Sequence, residues 1–200
     1  MAQRIKLNKV SLREQKQKMA LYQRFLPALE ARKQQFLMQL SVVRKEIRKQ
    51  EDALSQLTAD ISQWSSLIRD MEGLLKPFLG IRQVRVSMQN VAGLKIPLFQ
   101  EVVFEDISYS VFATAYSFEI VLGNLRELIR RREKLKILLE QERILSEGFR
   151  KTSQRINLYE QRLIPECREA LRKITVYLQD QQAAAVGVAK VAKRLLEAGL

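Results

Sequence analysis

Apolar residues recur along the first 75 residues of this chain at alternating steps of three and four. The repeat spans Leu12 to Leu75 and places an apolar side chain at sixteen of its nineteen positions. A step that averages 3.5 residues keeps one stripe facing a partner only when two helices supercoil left-handedly. At about 1.5 Å per residue, the segment would be about 95 Å long. The repeat therefore predicts a coiled coil with a mechanical or spatial role.

A second repeat with the same step runs from Leu135 to Ala170. Because a short reversal centred near residue 92 joins the two repeats, they should pair antiparallel within the chain. The numbers of paired residues should then add up to about 184, which places Leu163 near Leu21. The trailing helix should outrun the leading one by about sixteen residues, or about 25 Å. The positions that we assign to the coiled-coil seam are Leu40, Val43, Ile47, Leu54, Leu57, Ile61, Trp64, Leu135, Leu138, Leu145, Phe149, Ile156 and Leu163.

Between the two repeats the apolar period changes from 3.5 to two. Apolar and polar residues alternate on both sides of a turn-like segment, Asn90 to Gly93, which predicts a two-stranded hairpin with one apolar face. Pro97 restricts its strand to an edge. An isolated hairpin is marginal in water, so this face should rest on another surface. The candidate docking residues are Val84, Val86, Met88, Asn90, Gly93, Lys95, Ile96 and Pro97.

These patterns predict an all-α fold: a long antiparallel two-helix left-handed coiled coil with a short β-hairpin inserted between the helices. The first helix should stop near Lys76, because Pro77 and Gly80 follow, and Pro27 should kink it or mark a local restart. Helical spacing resumes near Ser108. We expect three segments: a coiled-coil helix at 1–76, the hairpin insert at 77–107, and a second coiled-coil helix with a protruding tip at 108–200.

Composition excludes several kinds of chemistry. The chain has no His and a single cysteine, Cys167, so the commonest general base is missing and no intramolecular disulfide can form. No phosphate-binding loop or dinucleotide fingerprint occurs. The acidic residues Glu101, Glu105 and Asp106 are interpreted as a solvated face. We expect no cofactor, no metal and no catalytic residue. Without a membrane-length apolar run or a signal peptide, we expect a soluble intracellular protein.

The formal net charge of +13 is concentrated at both ends of the chain. Residues 1–50 carry thirteen basic and three acidic side chains, and residues 151–200 carry nine and five. If the two ends lie side by side, they form one strongly basic end. The run Arg130-Arg131-Arg132 could bind nucleic acid, but pairing to Glu127 and Glu133 on a solvated helix face is the favoured interpretation.

Three motifs resemble the D subunit of V-type and A-type rotary ATPases. Residues 152–165 resemble a family signature through Arg155, Asn157, Glu160, Ile164 and Pro165, with Ile156 in place of Val. Residues 90–97 are similar to the family's Asn-Val-x-Gly-x-Lys-x-Pro hairpin. Residues 26–37 are similar to the bacterial branch of the family. The matches occur in the family's order over nearly the whole chain, whereas the opening residues and the Ala/Val-rich end differ from it.

The resemblance implies the non-catalytic central-stalk rotor of a complex that couples ATP synthesis or hydrolysis to transmembrane H⁺ or Na⁺ movement. Implied partners are the catalytic and nucleotide-binding subunits of the ATPase hexamer, a small F-type stalk subunit and the connector above the membrane ring. Neither nucleic acid nor direct membrane insertion is implied. The expected location is cytoplasmic, peripheral to the inner face of the membrane.

Other functions remain as alternatives. The stalk of a type III secretion or flagellar export ATPase is also a helical hairpin, but it generally lacks a β-hairpin between its helices. The gamma subunit of F-type synthases carries a large α/β domain, which the roughly thirty residues available here cannot form. A basic coiled coil could instead bind nucleic acid or an anionic membrane surface, with an affinity that falls steeply with salt.

Overall fold

The computed structural model describes residues 6–105 and 116–199. Its helices are α1 (Lys9–Ser62), α2 (Ser65–Asp70), α3 (Glu72–Leu75), α4 (Tyr116–Leu158) and α5 (Ile164–Ala198). A 3-10 turn (Lys76–Leu79) follows α3, and a π-helical turn (Tyr159–Leu163) joins α4 to α5. The strands are β1 (Ile81–Val91) and β2 (Leu94–Phe104), which pair antiparallel. The predicted restart of helix near Ser108 lies outside the described residues.

The chain divides into two units. The hairpin unit comprises residues 33–150, and the two-helix unit comprises Met1–Arg32 with Lys151–Leu200. Of the net charge of +13, the two-helix unit holds +10, from seventeen basic and seven acidic side chains. Residues from both ends of the chain therefore belong to one structural unit, which is strongly basic.

The core of the hairpin unit forms where α1, α4 and the hairpin meet. Its buried apolar residues lie on α1 at steps of four and three, and the hairpin adds Ile96, which is almost fully buried. Half-buried Val91 and Leu94 pack against the same cluster. The hairpin is thus not isolated in water, which meets the condition for its stability. The members of this cluster are Phe36, Leu40, Val43, Ile47, Ile96, Leu138 and Leu145.

A second cluster lies where the chain leaves α1 and enters the hairpin. Leu75 on α3 is buried against Phe118, Val121 and Leu122 of α4. The ring of Phe78, in the 3-10 turn, meets Phe118 edge to face at 5.6 Å between centroids. These contacts anchor the short helical segments to α4.

In the two-helix unit, α4 and α5 supply the fully buried side chains. Ile156, Cys167, Ala170 and Ile174 are buried, whereas the facing seam positions of α1 before residue 33 are half-buried. The rings of Tyr22 and Tyr159 lie 5.2 Å apart. Beyond half-buried Leu178, residues 179–199 are exposed. The last turns of α5 therefore contribute no buried side chain among the described residues.

Contacts within each unit confirm the antiparallel register. In the hairpin unit, Arg44 contacts Glu142 and Lys134 contacts Glu46. In the two-helix unit, the ring of Tyr22 contacts that of Tyr159. The numbers of these pairs add up to values from 180 to 186, close to the expected 184. The predicted fold class is confirmed.

The first helix ends earlier than the sequence suggests. The pattern predicts one helix to Lys76, but α1 ends at Ser62, and the stretch to Leu79 is divided among α2, α3 and the 3-10 turn. Hydroxyls of Ser55, Thr58 and Ser62 donate to main-chain carbonyls three or four residues earlier, at 2.6–2.7 Å. Such bonds weaken or bend a helix, which accounts for the early end.

The two prolines within helical sequence have different consequences. Helix α1 continues through Pro27, so the chain does not restart there. Just before Pro165, the N–H of Ile164 donates to the carbonyl of Tyr159, five residues back. Proline has no N–H and its ring clashes with the carbonyl four residues earlier. The wider π turn accommodates Pro165 without ending the helical path.

Candidate functional site

The hairpin lies along α4 over most of the length of β2. Leu94 meets α4 at Gly148, Gln141 Nε2 donates to the carbonyl of Pro97 at 2.5 Å, and Phe104 lies under Arg126. Ten residues of strand span about 33 Å, and so do the twenty-two helical residues from 126 to 148. Matched lengths allow one strand to follow one flank of the helix without a break.

Gly148 permits the closest approach between the hairpin and α4. A Cβ atom at this position would lie 2.3 Å from Leu94 Cδ1 and 3.5 Å from Phe36 Cζ. The other α4 glycine, Gly123, has open space around its corresponding position. A methyl group at Gly148 would therefore displace Leu94 from the core of the hairpin unit.

The base of the hairpin is fastened by one guanidinium. Arg126 Nε and Nη2 both donate to the main-chain carbonyl of Phe78, at 3.2 and 3.1 Å. The same guanidinium lies 5.1 Å from the ring centroid of Phe104. Arg126 thus connects α4, the 3-10 turn and β2 through donors in a fixed planar geometry.

The tip of the hairpin is a two-residue loop. Ala92 and Gly93 have φ values of 49° and 81°, as a type I′ turn requires, and Val91 pairs with Leu94 across it. Asn90 Oδ1 accepts the N–H of Gly93 at 3.0 Å. Half-buried Ala92 packs against the core cluster, so its side chain contributes contacts despite the left-handed backbone.

A polar network is built into the helix pair of the hairpin unit. Glu46 Oε1 accepts both Lys134 Nζ, at 2.8 Å, and Nε2 of buried Gln50, at 2.9 Å. The hydrogen bond from Lys134 lowers the pKa of Glu46, partly offset by burial. Arg44 Nε lies 2.6 Å from Glu142 Oε1 across the same pair. These contacts favour one register of α1 against α4.

Most predicted seam residues lie inside the helix pairs. Leu40, Val43, Ile47, Leu138, Leu145 and Ile156 are buried; Leu54, Leu57, Ile61, Leu135, Phe149 and Leu163 are half-buried. The assignment is wrong for Trp64, which lies in the turn after α1 with 47% of its surface exposed. Once α1 ends at Ser62, the 3.5-residue step no longer determines which way the next side chains point.

The candidate docking residues of the hairpin differ in how far they are buried. Ile96 is buried, Val84 and Pro97 are half-buried, and Asn90, Gly93 and Lys95 are exposed around the turn. The expectation that the whole apolar face rests on the protein is wrong for Val86 and Met88, which are 41% and 72% exposed. The register pairs Val86 with Phe99 and Met88 with Pro97, so both lie on the strand face opposite to that of Ile96. A bulge at Gln100, which has no paired residue, separates this stretch from the base of the hairpin.

The signature residues lie around the π turn. Arg155, Asn157, Glu160 and Pro165 are exposed, and Ile164 is half-buried. Their exposure is suited to contact with another molecule, whereas Ile156 packs in the core of the two-helix unit. The five residues therefore lie within one short stretch of the chain around the π turn.

Several buried positions among the described residues were not predicted from the sequence. Gln141 and Gly148 adjoin the seam positions 142 and 149, and both are buried on the flank that the hairpin covers. The seven-residue spacing between Gln141 and Gly148 is the sequence signal that could have indicated their burial. Cys167 is buried in the two-helix unit, and burial raises the pKa of its thiol.

The basic run on α4 is paired largely as expected. Arg131 and Arg130 both pair with Glu127, at 2.9 and 3.6 Å, whereas Glu133 pairs with Lys136. Among residues 6–105 and 116–199, no group of three or more acidic or thiol side chains could hold a metal ion. Within the same ranges, no helix is long and apolar enough to cross a bilayer.

The fold and its docked hairpin define a class: antiparallel coiled-coil proteins with a β-hairpin between the two long helices. Residues 11–194 match the sequence profile of the family of ATP synthase D subunits. The chain belongs to this family, and the predicted resemblance is confirmed.

Three relatives illustrate the similarity. The V-type ATP synthase D subunit of Borreliella burgdorferi is 34% identical over 193 residues, which cover 96% of this chain and 95% of the relative. The protein of the same name from Chlamydia pneumoniae is 30% identical over 199 residues, covering 98% and 95%. That of Chlamydia felis is 30% identical over 203 residues, covering 98% and 96%.

Proposed function

We propose that this chain is the central-stalk rotor of a V/A-type rotary ATPase. It couples ATP synthesis or hydrolysis in the catalytic hexamer to transmembrane H⁺ or Na⁺ movement and is itself non-catalytic. The observation that carries the proposal is an antiparallel helix pair, with a hairpin docked along one flank, in a member of the family of ATP synthase D subunits. Membership of this family favours the rotor over an export-ATPase stalk or a nucleic-acid binder.

The packing suits a part that transmits torque. A single helix bends easily, whereas each unit joins two helices through buried apolar positions. In the hairpin unit, β2 adds a third element that follows α4 for about 33 Å. The buried side chains shared by α1 and α4 in this unit oppose sliding of one helix along the other, and the ion pairs Arg44–Glu142 and Lys134–Glu46 add a small preference for the same register.

The surfaces suit three kinds of partner. The two-helix unit, with its net charge of +10 and exposed tip, would enter the hexamer of catalytic and nucleotide-binding subunits, where an acidic bore would complement it. A small F-type stalk subunit and the membrane-ring connector would bind elsewhere along the stalk. The chain would then be cytoplasmic and peripheral to the inner face of the membrane.

In this mechanism the orientation of the rotor determines which conformation each catalytic subunit favours. An asymmetric shaft touches successive catalytic subunits differently, so each orientation favours a different nucleotide affinity in each of them. Because linkage is reciprocal for binding, nucleotide occupancy also biases the orientation of the shaft. The chain needs no catalytic group for this role, only stiffness and an uneven surface.

Co-purification tests the proposal directly. We expect the tagged full-length chain, expressed at its native level, to bring down a catalytic ATPase subunit and a small stalk subunit. A tagged variant truncated after Gly80, which lacks α4 and α5, serves as the control for non-specific capture. Recovery of neither subunit by the full-length chain would refute the rotor function.

A further inference from the structure

An open groove lies between the hairpin and the helix pair of the hairpin unit. Its volume is ≈ 250 Å³, and its wall combines the ring of Phe99 on β2 with cationic side chains of α4. The lining residues are Gln50, Phe99, Glu127, Arg130, Arg131 and Lys134.

Positive charge exceeds negative charge in this groove. The carboxylate of Glu127 is shared by Arg130 and Arg131, so two guanidiniums divide one negative charge. Lys134 pairs with Glu46 on α1. The three pairs are between one-third and one-half exposed, and ion pairs of this exposure contribute little stability. A carboxylate from another molecule could therefore replace Glu127 at one guanidinium at small cost.

An exposed apolar ridge borders the groove on the hairpin. Val86 pairs with Phe99 across the strands, and Met88 pairs with Pro97 two residues further along β1. Val86 and Met88 are 41% and 72% exposed, and their side chains lie on the same face of the hairpin as Phe99. Clustered apolar side chains next to arginines are the composition of protein-binding surfaces, where Met and Arg are enriched.

We propose that the groove and the ridge together form a docking surface for a segment of another protein, in which an acidic side chain adjoins apolar ones. The acidic group would enter among Arg130, Arg131 and Lys134, while the apolar residues would cover Val86 and Met88. The inference rests on the proposed function, because the partner would be another component of the same ATPase. A second copy of this chain is disfavoured by its own net charge of +13. A free anion would leave the ridge uncovered.

Cross-linking in the assembled complex identifies what covers the ridge. A photo-reactive residue replaces Met88, the complex is isolated and irradiated, and the cross-linked peptide is sequenced by mass spectrometry. We expect the peptide to come from another ATPase subunit and to contain Asp or Glu beside apolar residues. A cross-link to a second copy of this chain, or no cross-link in a fully assembled complex, would overturn the inference.

Charge removal tests the groove itself. The double variant R130Q/R131Q should weaken binding of the cross-linked partner to the full-length chain by about tenfold, as expected for truncated interface charge pairs. The control R132Q/K136Q removes the same charge from exposed positions of α4 outside the groove and should change binding less than about twofold. Circular-dichroism melting checks that both variants fold.

The outcomes separate the two proposals. Equal binding by both double variants in an intact complex refutes the docking surface and leaves the rotor function standing. If the isolated chain binds inorganic phosphate and R130Q/R131Q abolishes it, the groove is an anion site and the docking proposal is wrong. If the unaltered chain enters no ATPase complex, the rotor function fails and the inference fails with it.

Discussion

At the residue scale, Gly148 marks the position where β2 approaches α4 most closely. Replacement of a helical glycine by alanine is normally worth about 1 kcal/mol of stability. At Gly148 the new methyl group would meet Leu94 Cδ1 at 2.3 Å, within the packed cluster that contains Phe36. We expect G148A to lose that gain and to destabilise the protein, because overpacking costs about 1–3 kcal/mol.

The matched control for this prediction is G123A. Gly123 lies on the same helix with nothing near its missing side chain, so its replacement should stabilise the protein by about 0.5–1 kcal/mol. Urea unfolding followed by circular dichroism measures both variants. Equal stabilisation by the two substitutions would mean that Leu94 does not pack on Gly148.

Glu46 provides a test through pH. Because the hydrogen bond from Lys134 lowers the pKa of Glu46 in the folded protein, its stabilising contribution is present above the unfolded pKa of about 4.3. That contribution is lost as the pH falls through the folded pKa. We expect E46Q to lower the free energy of unfolding at pH 7 by about 0.5–1 kcal/mol and to have almost no effect at about pH 2.

Urea unfolding of E46Q across this pH range measures the effect, with E30Q, an exposed carboxylate on the same helix, as the control. E30Q should change stability little at either pH. A deficit of E46Q that is the same at both pH values would show that Glu46 acts through packing and not through its charge.

At the scale of elements, Arg126 fastens the base of the hairpin. R126K keeps the charge but cannot make both hydrogen bonds to Phe78 or lie flat against Phe104. We expect a loss of about 1.5 kcal/mol, as for hydrogen bonds to charged groups. Hydrogen exchange should accelerate at the amides of Leu79 and Phe104 more than at those of the hairpin tip.

The control for this prediction is R132K, at an exposed position of α4. It should leave hydrogen exchange unchanged throughout the hairpin. Uniform acceleration along both strands in R126K would indicate that the hairpin detaches as a whole, and that Arg126 is not a local fastener.

The same elements show how much of the fold and of the candidate site the sequence predicts. The apolar period identified both helices and the hairpin, because periodicity reports which face of an element is covered. The position of the short reversal between the two repeats then predicted their antiparallel register. It did not identify Gln141 and Gly148, because these positions are buried by a strand about fifty residues away in sequence. Nor did it identify the end of α1. There, serine and threonine hydroxyls donate to main-chain carbonyls and weaken the helix, although the apolar repeat continues.

At the scale of the whole molecule, charge and burial are distributed unevenly. The two-helix unit carries +10 of the net charge of +13 but buries only a narrow line of side chains, mainly from α4 and α5. The hairpin unit is nearly balanced in charge and has the broader apolar core. The two-helix unit is therefore suited to long-range electrostatic attraction of an acidic partner, and the hairpin unit is suited to a close fit with a partner surface.

The exposed tip allows folding and function to be separated. Ile174 is fully buried, whereas residues 179–199 are exposed, so deletion of residues 184–200 removes no buried side chain among the described residues. We expect the chain truncated after Ala183 to unfold at the same urea concentration as the full chain. In a reconstituted complex it should lower ATP-driven turnover or ion transport, because the tip would no longer engage the hexamer.

Truncation after Lys173 is the structural control. It removes Ile174 as well, and loss of a buried isoleucine side chain should cost about 2–5 kcal/mol. Unfolding of both truncated chains, compared with coupled ATPase activity, separates the two effects. If removal of residues 184–200 already lowers the unfolding midpoint, the tip packs against the protein and the antiparallel register derived from Tyr22 and Tyr159 is wrong. If instead the unfolding midpoint and the coupled activity are both unchanged, the tip is dispensable. The hexamer must then contact the rotor through other residues of the helix pair.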